Sequence, residues 1–460
     1  MSRAFDAIIV GAGQAGPALA GRLTDAGMKV ALIERGLIGG TCVNTGCTPT
    51  KALVASAYAA HLARRSTDYG IGTGEVTVDF PAVMHRAQGI AADSRGRDET
   101  WLSRMPGLEL IHGHARFIAP DTIAVGDESF TAPKIFLNVG GRASRPPMPG
   151  IDKVQTLDNS SILKLETLPE HLVVVGGSYI GLEFAQIFRR LGSRVTLVEM
   201  QPHLIAREDQ DISDSIRETL EDEGIEVRTS ATCISFAPHD EGILVGVDCA
   251  EGEPAVIGSH VLLAVGRKPN TDDLGLDAAG VATDERGYIK VDDKLATNVP
   301  GIWALGDCNG KGAFTHTAWN DFEIVAANLL DGEDRKLSER LLGYALYTDP
   351  PLGRVGMTET QARASGRPLL VSIRSMKRVA RAIEKGETRG LMKVVADAET
   401  RRILGAAILG TGGDEAIHGI LDMMNADQPL DALRWAVPIH PTVSELIPTL
   451  LIDLKPAGQT

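Results

Sequence analysis

The amino-acid sequence predicts an α/β fold with two Rossmann-like dinucleotide-binding domains and a smaller C-terminal α+β domain. Three observations support this prediction: a glycine-rich turn between a strand and a helix near the N-terminus, a second copy of that pattern beginning at Gly176, and a change to shorter strands from about Leu342. A chain of 460 residues is too long for one ordinary core, so about three domains are expected.

The first copy runs from the apolar strand at Phe5 through Gly11-Ala-Gly13-Gln-Ala-Gly16 and a helical stretch to a second strand that ends at Glu34. Gly11 permits the tight turn, Gly13 lets the backbone approach a pyrophosphate, and Gly16 packs the helix against the strand. Glu34, about 20 residues downstream, suits a ribose hydroxyl. This spacing predicts a dinucleotide site.

The second copy reads Gly176-Gly-Ser178-Tyr-Ile-Gly181, followed by a helix through Leu191 and a strand that ends at Glu199. Glu34 follows Gly11 by 23 positions, and Glu199 follows Gly176 by the same 23. Chance rarely copies a fingerprint together with its acid at identical spacing, so we expect two bound dinucleotides. Ser178 replaces the middle glycine with little loss of backbone room.

The acid of the second copy bears on which nicotinamide coenzyme binds. Glu199 would accept a hydrogen bond from a ribose 2′-hydroxyl and repel a 2′-phosphate, which favours NADH. Arg207 lies eight residues further on and could bind that phosphate if its loop folds back. NADPH therefore remains open.

Two cysteines five residues apart, Cys42 and Cys47, lie just downstream of the first fingerprint. This position indicates a redox pair beside a bound cofactor, and a transient disulfide there would be catalytic or redox-sensing. The remaining cysteines, Cys233, Cys249 and Cys308, are expected to be buried fillers. No His or Cys arrangement has the spacing of a structural zinc site, and no metal site is predicted.

Charge and termini exclude several classes of partner. The net charge of −14 argues against nucleic acid or an anionic membrane surface, since both require basic patches. No stretch of about 20 apolar residues appears. The first residues run directly into a strand and leave no room for a signal peptide, so we expect a cytoplasmic protein.

These motifs resemble, in order and over nearly the whole chain, the class I pyridine nucleotide-disulfide oxidoreductases, the flavoprotein family of glutathione reductase, lipoamide dehydrogenase and mercuric reductase. The resemblance implies an FAD-binding domain over residues 1–150 and 271–340, an NAD(P)H-binding domain over 151–270, and a dimerisation domain over 341–460. It also implies a homodimer, because His440-Pro-Thr through Glu445 matches the segment that reaches the active site of the partner subunit.

The resemblance assigns residues to both cofactors. On FAD it places Gly11, Gly13, Gly16, Glu34, Arg35, Gly40, Thr41, Lys51, Gly140, Gly306 and Asp307. On NAD(P)H it places Gly176, Ser178, Tyr179, Gly181, Glu199 and Gly266, with Tyr179 as a gate over the nicotinamide pocket.

The resemblance also implies the path of electrons from nicotinamide through flavin to Cys47, then to Cys42, which faces the substrate. A thiolate is the reactive form, so we expect the site to lower a thiol pKa. His440 would carry protons and Glu445 would orient it. Lys51 and Glu183 would form an ion pair near the flavin N5.

Three functions follow from the same residues. The leading hypothesis is reduction of a small-molecule disulfide or a similar dithiol-type acceptor. The second is reduction of metal ions or reactive oxidants through the same pair, and the third is a redox-sensing flavoprotein without turnover.

The local sequence around Cys47 and His440 is most similar to the mercuric-reductase-like branch. The chain nevertheless ends without a vicinal cysteine pair and keeps His440 with Glu445, which argues against mercury. Gly21-Arg22, where glutathione reductases carry two arginines, makes glutathione a weaker candidate.

Overall fold

The computed structural model describes residues 2–248 and 253–458, which form two compact units. The first unit comprises the chain up to Ala52 together with Met84–Ser144 and Gly266–Arg340. The second comprises Leu53–Val83, Arg145–Val265 and the chain from Leu341 onward. Two long helices, Cys47–Arg64 and Phe80–Ser103, have residues in both units.

The first unit is built on a five-stranded parallel sheet. Its strands, in spatial order, are Ile302–Ala304, Ile135–Leu137, Ala7–Val10, Val30–Glu34 and Leu108–His112. The central strands are continuous apolar runs because helices cover both faces of such a sheet. Ile8, Ile9 and Leu32 are accordingly fully buried.

A four-stranded sheet accompanies the parallel sheet, with the order Arg3–Ala4, Glu128–Thr131, Thr122–Val125 and Ala115–Ala119. Arg267–Pro269 pairs with Gly141–Ala143 in a separate two-stranded ribbon. The helical segments of this unit are Ala15–Asp25, Gly40–Thr45, Leu276–Ala279, Gly306–Asn309, Thr315–Ala326, Ala327–Asp331 and Leu337–Glu339.

The second unit repeats the nucleotide-binding pattern on a smaller scale. A parallel sheet has the order Glu226–Arg228, Arg194–Val198, His171–Val175 and His260–Leu263. An antiparallel sheet of Thr232–His239, Gly242–Asp248 and Ala255–Gly258 accompanies it. The helices Tyr179–Leu191 and Gln210–Asp222 and the short turns Ser66–Tyr69, Ile151–Lys153 and Ile162–Lys164 complete this part.

The C-terminal part of the second unit contains a six-stranded antiparallel sheet. Its order is Gly343–Leu346, Leu352–Gly356, Ile403–Leu409, Leu391–Asp397, Leu369–Ser375 and Lys455–Pro456. The helical segments around it are Glu359–Ala364, Met376–Arg378, Ala380–Glu384, Gly413–Ala416, His418–Asn425, Leu430–Arg434, Ser444–Leu446 and Ile447–Ile452. The predicted domain boundaries stay predictions; residues 266–270, predicted to end the second domain, lie in the first unit.

The sequence led us to expect that Cys233, Cys249 and Cys308 are buried. Cys308 is buried, whereas Cys249 lies outside the described residues. The expectation was wrong for Cys233, which is exposed where the strand pairing of Thr232–His239 is irregular.

Candidate active site

The first glycine-rich turn joins the strand Ala7–Val10 to the helix Ala15–Asp25. Gly11 has a φ of +104°, and a Cβ there would come within 2.2 Å of a backbone carbonyl oxygen. A Cβ at Gly16 would lie 2.2 Å from the carbonyl oxygen of Gly11. Both positions therefore require glycine, and the helix begins directly against the strand with its N-terminus free to face an anion.

Glu34 and Gly40 border this turn. The Glu34 carboxylate accepts hydrogen bonds from the N–H groups of Ala12 at 2.7 Å and Gly36 at 2.7 Å. A Cβ at Gly40 would come within 2.9 Å of the Cα of Gly13. The backbone is thus kept bare where a pyrophosphate would approach, and the residues present fit the dinucleotide part of FAD.

The second glycine-rich turn has the same geometry. Gly176 has a φ of +115°, and a Cβ at Gly181 would lie 1.9 Å from the carbonyl oxygen of Gly176. Glu199 accepts hydrogen bonds from the N–H groups of Gly177 at 2.5 Å and Gln201 at 2.7 Å. The two repeats share the turn and the acid that closes it, so the second turn fits a second dinucleotide.

The two redox cysteines lie on consecutive helices of the first unit. Cys42 is on the short helix Gly40–Thr45, and Cys47 begins the helix Cys47–Arg64. Both are thiols in this structure, and a hydrogen bond joins them. The Sγ of Cys47 also lies 3.4 Å from the Oγ1 of Thr315. A half-buried and an exposed sulfur are therefore held within reach of one another.

The hydrogen bond to Cys47 raises the pKa of the Cys42 thiol well above its usual range, and burial adds to the effect. Thr315 and the charge of Lys51 act in the opposite direction. The sequence led us to expect a lowered thiol pKa, and for Cys42 this expectation was wrong. The physical reason is that the Cys42 thiol donates its proton to the Cys47 sulfur, so ionising Cys42 would remove that donor and place a second negative charge beside Cys47.

Gly306 and Asp307 follow the strand Ile302–Ala304. The N–H of Gly306 donates to the buried Asp321 carboxylate at 2.7 Å, which fixes the turn. Burial raises the pKa of Asp307, whereas Arg267, 3.7 Å away, acts against the rise. A carboxyl group held in this position suits a hydrogen bond to a polar group of a cofactor, and the contact of Asp307 with FAD stays a prediction.

His440 and Glu445 form a pair in the second unit. The Nδ1 of His440 lies 2.8 Å from the Oε2 of Glu445. The imidazole is 76% exposed, whereas the carboxylate is 13% exposed. With Nδ1 engaged by the carboxylate, the geometry suits a histidine that transfers protons through Nε2, and that role of His440 stays a prediction.

Tyr179 begins the helix Tyr179–Leu191 directly after Ser178, and its ring contacts Tyr344 at a centroid distance of 5.6 Å. Glu183, on the same helix, is buried and accepts a hydrogen bond from the N–H of Tyr347 at 3.1 Å. The gate role of Tyr179 and the ion pair of Glu183 with Lys51 stay predictions.

The other predicted cofactor residues take varied positions. Arg35 pairs with Asp273 at 2.9 Å, and Thr41 lies on the short helix that carries Cys42. Gly140 and Gly266 both have positive φ, of +63° and +109°, with no heavy atom within 4 Å of a hypothetical Cβ.

Three residues of the site were not singled out from the sequence: Asn138, Thr315 and Asp321. Asn138 accepts from the N–H of Gly16 at 3.1 Å and donates to the carbonyl of Leu305 at 3.1 Å, joining the first glycine turn to the Gly306 turn. A signal existed for Asn138 in the sequence, since it is a polar residue that directly follows the apolar strand Ile135–Leu137. No local pattern marks Thr315.

Two family models match this chain. The model described as pyridine nucleotide-disulphide oxidoreductase matches residues 5–321, and its dimerisation domain matches residues 343–451. The chain belongs to the pyridine nucleotide-disulfide oxidoreductase family. The prediction of a class I member is thereby confirmed.

Relatives from three branches of the family cover almost the whole chain. The probable pyridine nucleotide-disulfide oxidoreductase RclA of Escherichia coli K12 is 36% identical over 98% of this chain and 99% of its own. The mercuric reductase of Streptomyces lividans is 36% identical over 99% and 96%, and the dihydrolipoyl dehydrogenase of Bacillus subtilis is 32% identical over 97% of each.

Among solved structures, a Cu(II) complex of the HOCl-induced flavoprotein disulfide reductase RclA from Escherichia coli superposes with a TM-score of 0.89. Its sequence is 35% identical to this one, and the match covers 98% of this chain and 99% of that one. The predicted fold class is confirmed.

The family membership establishes the activity at the level of class. The protein is an NAD(P)H-dependent flavoprotein disulfide oxidoreductase, with FAD as its flavin. A dimerisation domain occupies residues 343–451. Within residues 2–248 and 253–458, no helix is both long and apolar enough to cross a membrane.

Proposed function

We propose that the protein transfers electrons from NAD(P)H, by way of FAD and the Cys42–Cys47 pair, to a small-molecule disulfide or a similar dithiol-type acceptor. The observation that carries the proposal is the hydrogen-bonded thiol pair on two helices beside the first glycine turn. The His440–Glu445 pair supports it, since it supplies an oriented proton carrier.

The two glycine turns would hold the two cofactors. The bare backbone at Gly11, Gly13 and Gly40 would admit the FAD pyrophosphate, and Asp307 would bind a flavin-side hydroxyl. The turn at Gly176 would admit the nicotinamide dinucleotide. FAD, when bound, supplies a carrier that accepts two electrons from the nicotinamide and delivers them to sulfur.

The protein's own residues then carry out thiol–disulfide exchange. The Cys42 thiolate attacks one sulfur of the acceptor and forms a mixed disulfide, and the first acceptor thiolate leaves. Cys47 attacks Cys42, releases the second acceptor thiol and closes the Cys42–Cys47 disulfide. The acceptor gains two electrons and two protons, and the cysteine pair is oxidised by two electrons.

Proton transfer favours a disulfide acceptor over a metal ion. Each leaving thiolate must be protonated at neutral pH, and His440 oriented by Glu445 is suited to that step. Reduction of a metal ion by two thiolates has no leaving thiolate to protonate. A site that reduced only metal ions would not need the His440–Glu445 pair to protonate a leaving thiolate.

A second candidate is reduction of a metal ion or a reactive oxidant. It is favoured by the relatives, since one is named mercuric reductase and the RclA structure is described as HOCl-induced and as a Cu(II) complex. No group of three or more His, Cys, Asp or Glu side chains able to hold a metal occurs among residues 2–248 and 253–458. We expect a metal acceptor to bind at the cysteine pair, because thiolates are soft metal ligands.

The proposal also covers the nicotinamide coenzyme, the oligomeric state and the location of the protein. We favour NADH because the Glu199 carboxylate closes the second turn, where it would accept a hydrogen bond from a ribose 2′-hydroxyl and repel a 2′-phosphate. We expect a homodimer because the dimerisation domain exposes large apolar side chains next to His440, with Trp435 76%, Val437 95% and Ile439 79% exposed. A cytoplasmic location and the third alternative, a redox sensor without turnover, are retained as predictions.

Purified holoenzyme should be reduced anaerobically by NADH and should then reduce one member of a panel of lipoamide, low-molecular-weight disulfides, quinones, Cu(II) and hypochlorite. Cys42→Ser should abolish disulfide turnover and leave flavin reduction intact, whereas Cys233→Ser, at an exposed cysteine outside the site, should change neither. His440→Gln should lower disulfide turnover by about 10²–10⁴-fold. Disulfide turnover that survives Cys42→Ser would refute the mechanism, and reduction of Cu(II) alone, unaffected by His440→Gln, would favour the second candidate.

A further inference from the structure

Tyr179, Tyr344 and Arg207 form an aromatic and cationic stack next to the second glycine turn. The Tyr179 and Tyr344 rings meet edge to face at 86°. The guanidinium carbon of Arg207 lies 5.1 Å from the Tyr179 ring centroid and 6.0 Å from that of Tyr344. Both distances are within the range in which a guanidinium is attracted to a ring face.

The loop that carries Arg207 is fixed against the glycine turn. Ile205 has a φ of +46°, and its N–H donates to the carbonyl of Gly177 at 2.9 Å. The N–H of Glu208 donates to the carbonyl of Ile205 at 2.8 Å. These backbone bonds place Arg207 over the rings, while the outer side of its side chain stays exposed to water.

The hydroxyl group of Tyr344 is fixed by a hydrogen bond. Its hydroxyl donates to the carboxylate of Glu208. Glu208 in turn accepts from the Nε of Arg354 at 3.1 Å, and the side chains of Arg354 and Glu208 are 1% and 0% exposed. The stack thus rests on a buried ion pair that neither nucleotide pattern includes.

We propose that Arg207 and Tyr344 are positioning residues that hold the Tyr179 ring at the nicotinamide pocket, and that Arg207 does not serve as a ligand of a coenzyme 2′-phosphate. This inference rests on the proposed nicotinamide site at the Gly176 turn. If the guanidinium moved away to bind a phosphate, it would lose its contacts with the two rings. A 2′-phosphate would also meet the Glu199 carboxylate at the ribose end of the turn.

The proposal predicts which kinetic step changes. If Arg207 acts through Tyr179, its removal affects hydride transfer from either coenzyme, because the nicotinamide end is the same in NADH and NADPH. If Arg207 binds the 2′-phosphate, its removal weakens NADPH alone. The ratio of the two coenzymes therefore separates the two roles. A smaller fraction of folded, flavin-containing enzyme would lower the amplitude of flavin reduction and leave its observed rate unchanged, so the rate separates a positioning role from a loss of stability.

The test is stopped-flow reduction of the holoenzyme flavin by NADH and by NADPH, in the wild type and in Arg207→Leu, Tyr344→Leu and Tyr344→Phe. We expect Arg207→Leu and Tyr344→Leu each to slow flavin reduction about fivefold with both coenzymes, with an unchanged NADH-to-NADPH ratio, as expected of one lost cation–π contact. Tyr344→Phe, which keeps the ring and loses the bond to Glu208, should have a smaller effect in the same direction. The matched control is Arg217→Leu, which removes an equal charge from a surface ion pair with Glu221 and should leave both rates at the wild-type value.

Selective loss of NADPH activity in Arg207→Leu would overturn the proposal and make Arg207 a phosphate ligand. Unchanged rates in both Tyr344 variants would also overturn it. If the wild-type flavin accepts electrons from neither coenzyme, the proposed function is refuted, together with the inference that rests on it. This outcome is distinguishable because it is seen in the wild-type enzyme itself.

Discussion

The hydroxyl oxygen of Thr315 lies 3.4 Å from the Sγ of Cys47, although 268 residues separate the two in the chain. Thr315 begins the helix Thr315–Ala326, and its hydroxyl also opposes the rise in the pKa of Cys42. A single hydroxyl at a helix start thus acts on both sulfurs of the redox pair.

Removing this hydroxyl should make the cysteine pair less reactive. In Thr315→Val the Cys42 thiolate loses a hydrogen-bond partner, so the pKa of Cys42 should rise further. Alkylation of the reduced enzyme by iodoacetamide at fixed pH should slow about fivefold, the effect of a hydrogen bond worth about 1 kcal/mol. Thr315→Ser keeps the hydroxyl and should react at nearly the wild-type rate; equal slowing in both variants would point to packing instead.

Removing Cys47 should have the opposite effect on Cys42. The hydrogen bond to Cys47 is the main cause that raises the pKa of Cys42, and Lys51 and Thr315 remain to lower it. In Cys47→Ala the thiolate of Cys42 should therefore form at lower pH than in the reduced wild type. Thiolate absorbance near 240 nm, followed from about pH 6 to 10, measures the shift. A Cys47→Ala enzyme whose Cys42 forms no thiolate over this range would contradict this account.

The parts of the site that the sequence could predict are those held by local chemistry. The turns at Gly11 and Gly176 each require backbone without a side chain, and the sequence shows this requirement as glycine at a fixed spacing. Thr315 and Asn138 contact residues that are more than 100 positions away in the chain, and no local sequence pattern indicates such contacts.

A substitution in one glycine turn should weaken the binding of one cofactor and leave the binding of the other unchanged. A Cβ at Gly16 would strike the carbonyl oxygen of Gly11, and a Cβ at Gly181 that of Gly176. Gly16→Ala should weaken FAD retention by about tenfold or more, which equals about 1.4 kcal/mol. Gly181→Ala should keep FAD and lose nicotinamide binding to a similar degree. Flavin absorbance per protein and titration with NADH measure the two effects.

Gly89 offers the matched control for these alanine variants. It lies within the helix Phe80–Ser103, and a Cβ there meets nothing within 4 Å. Gly89→Ala should raise the free energy of unfolding by about 0.5–1 kcal/mol, because alanine costs less entropy than glycine in a helix. Loss of FAD in Gly89→Ala would show that FAD retention in this protein does not report on the glycine turns.

The buried pair of Arg354 and Glu208 should matter more to stability than any exposed pair. Arg354→Met leaves the Glu208 carboxylate charged and buried, with the Tyr344 hydroxyl still donating to its Oε1, so we expect the free energy of unfolding to fall by about 3–5 kcal/mol. Arg401→Met, which breaks an exposed pair with Asp431, should cost less than about 1 kcal/mol. The double variant Arg354→Met with Glu208→Leu removes both charges and should regain part of the loss, but not all, because the Tyr344 hydroxyl then has lost its acceptor. Urea denaturation of the holoenzyme measures the series, and equal losses for Arg354→Met and Arg401→Met would contradict the role given to the buried pair.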